Sequence, residues 1–294
     1  MFHLFRHNRA IRQAYQCYDQ LEYAQAADHF RRACRLIPSS WEAHFGLGVT
    51  AKWLCDWNES IQASRRAAKL REDFEGAWWN IGIAATALGF WREDCEAWNK
   101  AGVKLEISDA PLAMKLGRVP IRLKTTNNEV VWCDRLDPAR AKIISVPTAD
   151  SLHRCGDLLL TDGEPSGSRW NGDCDVPVFN ELQILQASNL GLFTVLVEHA
   201  SNVDIDALVQ LRSDELKIED WSTIRRLCRQ CSEGRPHDHH DQNHRLSSEI
   251  QPTRQIAFAA ASEESVRKTL AAWSTPDRVT ISSVECPVQP QVLL

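Results

Sequence analysis

The residues best suited to chemistry lie in one short polar stretch. It reads Cys228-Arg-Gln-Cys231-Ser-Glu-Gly-Arg-Pro-His237-Asp-His239-His240, with His244 four residues on. A Cys-x2-Cys turn lets two thiolates meet one ion. Gly234 and Pro236 can bend the chain back to bring His237 to the same point. Zinc takes four tetrahedral ligands, commonly mixed Cys and His. Cys228, Cys231 and His237, with one of His239, His240 or His244, would complete a Cys2His2 set. A polar stretch with few large apolar residues gains little from burial, so a closed zinc site would supply its folding free energy. The expected cofactor is therefore a structural zinc. The same residues also fit a solvated His-rich loop, a redox pair, or a catalytic zinc with Glu233 as base. A redox Cys-x-x-Cys usually follows a strand, whereas Trp221–Leu227 reads as helix.

Other candidate chemistry is weaker. Asp134, Asp137, Asp157, Asp162, Asp173 and Asp175 each stand beside glycine, proline or a strand end. Aspartate in such places usually caps its own backbone, so a structural role is expected of all six. The Gly-Ser-Arg-Trp at 167–170 lacks phosphate-loop spacing. The other eight of the ten cysteines are scattered singly, several at helical core spacings where cysteine acts as a small hydrophobe.

The composition sets the frame for these residues. The 294 residues leave room for two or three domains. An apolar fraction of 44% and a charged fraction of 25% suit a globular chain. A net charge of -5 argues against a nucleic-acid backbone as partner. Arg225, Arg226 and Arg229 are basic, but Glu233, Asp238 and Asp241 offset them. No leader and no apolar run long enough to span a membrane is read, and the expected location is the cytosol.

The elements that position these residues begin with a repeat. Gly48 and Gly82 are 34 residues apart (82 − 48), and Ala14 stands one period earlier. Leu47 pairs with Ile81, Ala33 with Ala67 and Ala101, and His44 with Trp78. Phe30, Ser64 and Trp98 make a looser column, and Pro38 closes the first unit. Residues 7–106 resemble three tetratricopeptide repeats, helix-turn-helix units of 34 residues. Ser60 and Asp94 depart from the pattern, standing where Ala26 shows the usual small residue. The resemblance implies a stacked array whose first helices line a concave surface. Groove positions then map to Tyr15 and Tyr18, to Phe45, Val49 and Trp53, and to Trp79 and Ile83. Their character suits an apolar helix or an extended peptide. The lysine and asparagine set with which some family members clamp a terminal carboxylate is missing. The same aromatic residues could instead pack on the chain's own C-terminal half.

Beyond Pro111, short β-type runs appear at 130–133, 143–146, 158–161 and 176–179, suggesting a small barrel or sandwich. Two later stretches each read strand, helix, strand. The first runs from 192–198 through a helix at 204–211 to a return near 217. The second runs from 254–260 through a helix opened by Ser262 to a strand at 279–284. Together they suggest a ferredoxin-like β-α-β-β-α-β domain with an insertion at 221–250. The expected fold is thus multidomain, α then α+β. Its parts are an array at 7–110, a β-rich segment at 111–188 and an α/β domain at 189–288. The reading is a non-enzymatic scaffold with a polypeptide partner. A zinc-dependent hydrolase centred on the Cys/His insertion and a nucleic-acid adaptor are the alternatives. The layout also resembles, weakly, uncharacterised bacterial repeat proteins.

Overall fold

The computed structural model describes residues 2–125, 129–170, 173–223, 253–273 and 279–291. The chain divides into two compact units. The first holds Met1–Met114 together with Leu136–Ala139 and Leu160–Gly163. The second holds Lys115–Arg135, Arg140–Leu159 and Glu164–Leu294.

Helices α1 (Phe2–Asp19), α2 (Tyr23–Leu36), α3 (Trp41–Trp53), α4 (Trp57–Leu70), α5 (Glu75–Leu88) and α6 (Trp91–Lys100) build the first unit. The second helix of each pair opens on an aromatic residue of one column: Tyr23, Trp57 and Trp91. The turn inside each pair repeats as well. Leu21, Cys55 and Gly89 all adopt positive φ, at 63°, 57° and 74°. Only the last is glycine, so two of the three turns hold an L side chain in a disfavoured region. The starts are fixed chemically at two helices. Ser40 accepts from the Ala43 N–H and Asp56 from the Glu59 N–H, satisfying donors that a helix start leaves open.

Packing between helices depends on the small-residue columns. Ala14 is fully buried. A Cβ on Gly48 would lie 2.4 Å from Ser64 Oγ, and one on Gly82 would lie 2.6 Å from Trp98 Cε2. Gly46 does the same for the Phe30 ring, at 2.3 Å. The bulky column thus fills space that the glycine columns vacate. Polar links repeat in step. Arg31 grips Glu59 through Nε and Nη2 at 2.7 and 2.6 Å, and Arg65 grips Glu93 in the same way. The His44 ring bonds the Pro38 carbonyl, and one period later Trp78 Nε1 donates to the Glu72 carbonyl.

Strands β1 (Arg118–Arg122), β2 (Val130–Arg135), β3 (Arg140–Ile143), β4 (Leu158–Trp170) and β5 (Asp175–Gln186) close a barrel in that order; all of it belongs to the second unit except Leu160–Gly163 of β4. Strands β1 and β2 are antiparallel, whereas β1 and β5 are parallel. Its core includes Ile121, Val131, Cys133, Ile143, Leu159 and Phe179. The run expected at 143–146 is shifted: β3 ends at Ile143, although Val146 is still buried.

A second sheet contains β6 (Gly191–Glu198), β7 (Lys217–Asp220), β8 (Thr253–Ala260) and β9 (Thr280–Val288), ordered β7-β8-β6-β9. Every neighbouring pair is antiparallel. Helix α7 (Asn202–Val209) lies between β6 and β7 in sequence, and α8 (Glu263–Ala272) between β8 and β9. Ser201 and Asp204 form a reciprocal capping box at the start of α7, and Ser262 caps α8. Phe193, Val195, Ile256 and Phe258 share a core with Ile205, Leu208, Val266 and Leu270 of the two helices.

Candidate functional site

The first helix of each pair places three columns side by side: Ile11, Phe45 and Trp79; Tyr15, Val49 and Ile83; Tyr18, Lys52 and Thr86. Their environments differ. Tyr15 is 39% exposed, with its ring edge-on to Phe30 at 5.4 Å. Burial, followed by the charge and hydrogen bonding of Glu42, pushes its hydroxyl up to about 12. Tyr15 is thus a neutral phenol with an accessible ring, suited to apolar contact with a polar tip. Phe45 meets Phe74 edge-on at 4.7 Å. Trp53 stacks on Tyr23 at 5.6 Å and donates to the Tyr18 hydroxyl at 2.9 Å. Val49 is half-buried, while Ile83 is fully buried. Trp79 meets Trp98 edge-on at 5.0 Å. Most of the expected groove side chains therefore already have partners inside the array, and Tyr15 is the most open of them.

Two further residues of the first unit reach this face. Asp162 accepts from Lys52 Nζ through both oxygens, at 2.8 and 3.0 Å. Gly163 lies so close to Trp79 that a Cβ would be 1.7 Å from the indole nitrogen. Sequence reasoning missed Lys52, because a lysine in a helix usually faces water. Asp162, beside Gly163, reads in the sequence as a turn aspartate. That role fits Asp137, which accepts from the Ala139 N–H, and Asp157, which accepts from the Arg154 and Ser188 N–H groups.

The second unit carries buried polar pairs of its own. His153 Nε2 is 2.9 Å from Glu181 Oε1, and its Nδ1 is 2.7 Å from the Ser151 carbonyl. The other Glu181 oxygen accepts from the Lys124 N–H. Burial works against the imidazolium, but the hydrogen bond and charge of Glu181 outweigh it, so His153 titrates above its usual range. Arg122 donates to Ser166 and Asn180. Burial raises the Glu219 carboxyl to about 7, helped by the charge of Glu129. These groups are engaged with one another, as buried polar groups must be. They form hydrogen-bonded supports of the barrel and sheet.

The expected zinc ligands Cys228, Cys231, His237, His239 and His240, with His244, lie outside the described residues. Among the described residues, no three His, Cys, Asp or Glu side chains gather so as to hold a metal. No described helix is long and apolar enough to cross a membrane.

Paired helices at a 34-residue period, with matching turns, glycine contacts and ion pairs, define the N-terminal third as a tetratricopeptide array. Solved structures similar to it include the TPR domain of Arabidopsis OM64, with 15% identity, a TM-score of 0.33, and coverage of 34% of this chain and 84% of that one. Another is the yeast Sti1 TPR2B domain in complex with a pHsp70 ligand, with 13% identity, a TM-score of 0.32, and coverage of 33% and 78%. A third is the second TPR of Spaghetti (RPAP3) bound to the HSP90 peptide SRMEEVD, with 13% identity, a TM-score of 0.33, and coverage of 33% and 91%. No family model and no curated protein matches the chain.

Proposed function

We propose that this chain is a non-enzymatic interaction protein whose tetratricopeptide array receives a polypeptide on the face of its first helices. The observation that carries the reading is Tyr15. It is an aromatic side chain left 39% exposed on that face, in column with Val49 and Ile83. Tyrosine is favoured at binding hot spots because it offers a large, stiff surface with a polar tip. In this reading Phe45, Val49, Trp53, Trp79 and Ile83 shape and stiffen the receiving face. Tyr15→Ala should weaken the full chain's affinity for a captured polypeptide by about 2 kcal/mol, roughly 30-fold, without changing its helical content. Unchanged affinity would remove Tyr15 from the interface and with it the support for this reading.

The proposal has two structural parts. Residues 189–288 are read as a ferredoxin-like domain. The order β7-β8-β6-β9 supports this, since each β-α-β half leaves a gap that a strand of the other half fills. A structural zinc within 221–250 is the other part, and its support is the spacing of Cys228, Cys231 and the histidines alone. Domain limits at 7–110 and 111–188 belong to the same reading.

A further inference from the structure

Lys52 is in the last turn of α3 and is only 5% exposed. The same column carries Tyr18 in the first repeat and Thr86 in the third, so the repeat itself does not require a charge there. An ammonium group taken out of water is costly unless an anion meets it with good geometry. Asp162 does so with both oxygens, and its own side chain is even slightly more buried than that of Lys52. The next residue, Gly163, fits beside Trp79 because it has no Cβ. The preceding residues, Leu160 and Thr161, are buried too. Thr161 donates its N–H and its hydroxyl to the Ala139 carbonyl at 2.8 and 3.1 Å, which ties the stretch to Leu136–Ala139. The second and third repeats therefore already hold a short acidic stretch of β4, engaged through one charge and one close backbone approach.

We propose that Leu160–Gly163 is an internal ligand of the array, and that the place it fills is a recognition site for an extended segment bearing a carboxylate followed by glycine. Lys52 reads the carboxylate. Trp79 admits the glycine and rejects residues with a side chain. An acidic, glycine-bearing polypeptide entering from outside has to displace the internal copy, so the segment gates the site. The proposal rests on the array being a polypeptide-binding device, but it places the contact at Lys52 and Trp79 rather than at Tyr15.

The test uses the full chain and a fluorescent peptide with the sequence of residues 160–166, Leu-Thr-Asp-Gly-Glu-Pro-Ser, followed by anisotropy. In Gly163→Val the new side chain collides with Trp79 and the internal copy is expelled. The peptide should then bind at least tenfold more tightly than to the parent chain, because the internal copy no longer competes. The same peptide with asparagine for aspartate should lose at least tenfold, and Lys52→Met should erase that difference. Equal binding to the parent and Gly163→Val chains, or equal binding of the two peptides, overturns the proposal. If Gly163→Val loses its helical signal, Asp162→Asn replaces it. That change removes the charge and adds no bulk. Amide exchange at 160–163 should then speed up at least tenfold with the helices intact, and unchanged exchange would overturn the proposal equally. A loss of binding in Tyr15→Ala speaks only to the earlier reading.

Discussion

Replacing Gly82 with leucine probes the closest helix approach in the array. A Cβ there would lie 2.6, 2.7 and 2.8 Å from three atoms of the Trp98 indole, where ordinary contact begins at 3.4 Å. The ring, or helix α6 with it, would have to retreat by about 0.6–0.8 Å before the rest of the leucine is placed at all. Trp98 is 1% exposed and wedged edge-on against Trp79, so it has nowhere to turn. Overpacking of this kind costs about 1–3 kcal/mol, occasionally more. Glycine is a poor helix former, so leucine recovers up to about 1 kcal/mol of that. The clash continues beyond Cβ, and a net loss of about 2 kcal/mol is expected. For a unit of this size the midpoint should fall by roughly 8–16 °C. The assay is thermal melting of the full chain followed by the helical circular-dichroism signal. Gly76→Ala in the same helix is the control, since a Cβ there would come no nearer than 3.1 Å to any atom, the Phe74 Cζ. Adding Trp98→Leu should restore part of the loss, giving a coupling of about 1 kcal/mol. A Gly82→Leu chain that melts with the parent would refute the register of the repeat.

Other expectations follow from single features. Leu21 holds positive φ while largely exposed, so Leu21→Gly should raise the midpoint, gaining about 0.5–1 kcal/mol, whereas Gly89→Ala should lower it by about 1–2 kcal/mol. Glu219 and His153 both titrate above their usual ranges when folded. Each therefore stabilises most at low pH, and that contribution fades as pH rises, between 4.5 and about 7 for Glu219 and from above 6.5 for His153. The second unit should melt at higher temperature at pH 5 than at pH 8, and Glu219→Gln should flatten the lower part of that slope. Purified full chain should contain one zinc, released by Cys228→Ser or Cys231→Ser and retained less well below about pH 6. Elemental analysis showing no metal, with both thiols reactive, would end that expectation.

The repeat was legible because sterics leave no choice. Gly48 and Gly82 are small where Ser64 and Trp98 approach, and the same spacing appears in both columns. The turns were harder to read: Leu21 and Cys55 occupy a backbone region that only Gly89 advertises. The Arg31–Glu59 and Arg65–Glu93 pairs keep the 34-residue period, yet they lie outside the apolar pattern by which a repeat is usually sought. Strand positions at 130–133, 158–161 and 254–260 followed from short apolar runs, although β4 continues through Asp162-Gly163, which reads as a turn, to Trp170. Helix α7 begins two residues before the expected Asp204, because Ser201 caps it and Asp204 completes the box. Within the candidate site, Tyr15 was legible from its column. The pairing of Lys52 with Asp162 was not, since 110 residues separate them and neither residue type announces a buried partner.

The most direct test of the interaction reading is photocrosslinking from a reactive amino acid placed at Tyr15 of the full chain, with Gln62 on α4 as the matched control. Gln62 is exposed on the second helix of its pair. A discrete polypeptide adduct at Tyr15 and none at Gln62 is the expected result. Adducts of equal yield at both positions, or an adduct confined to Gln62, would contradict it.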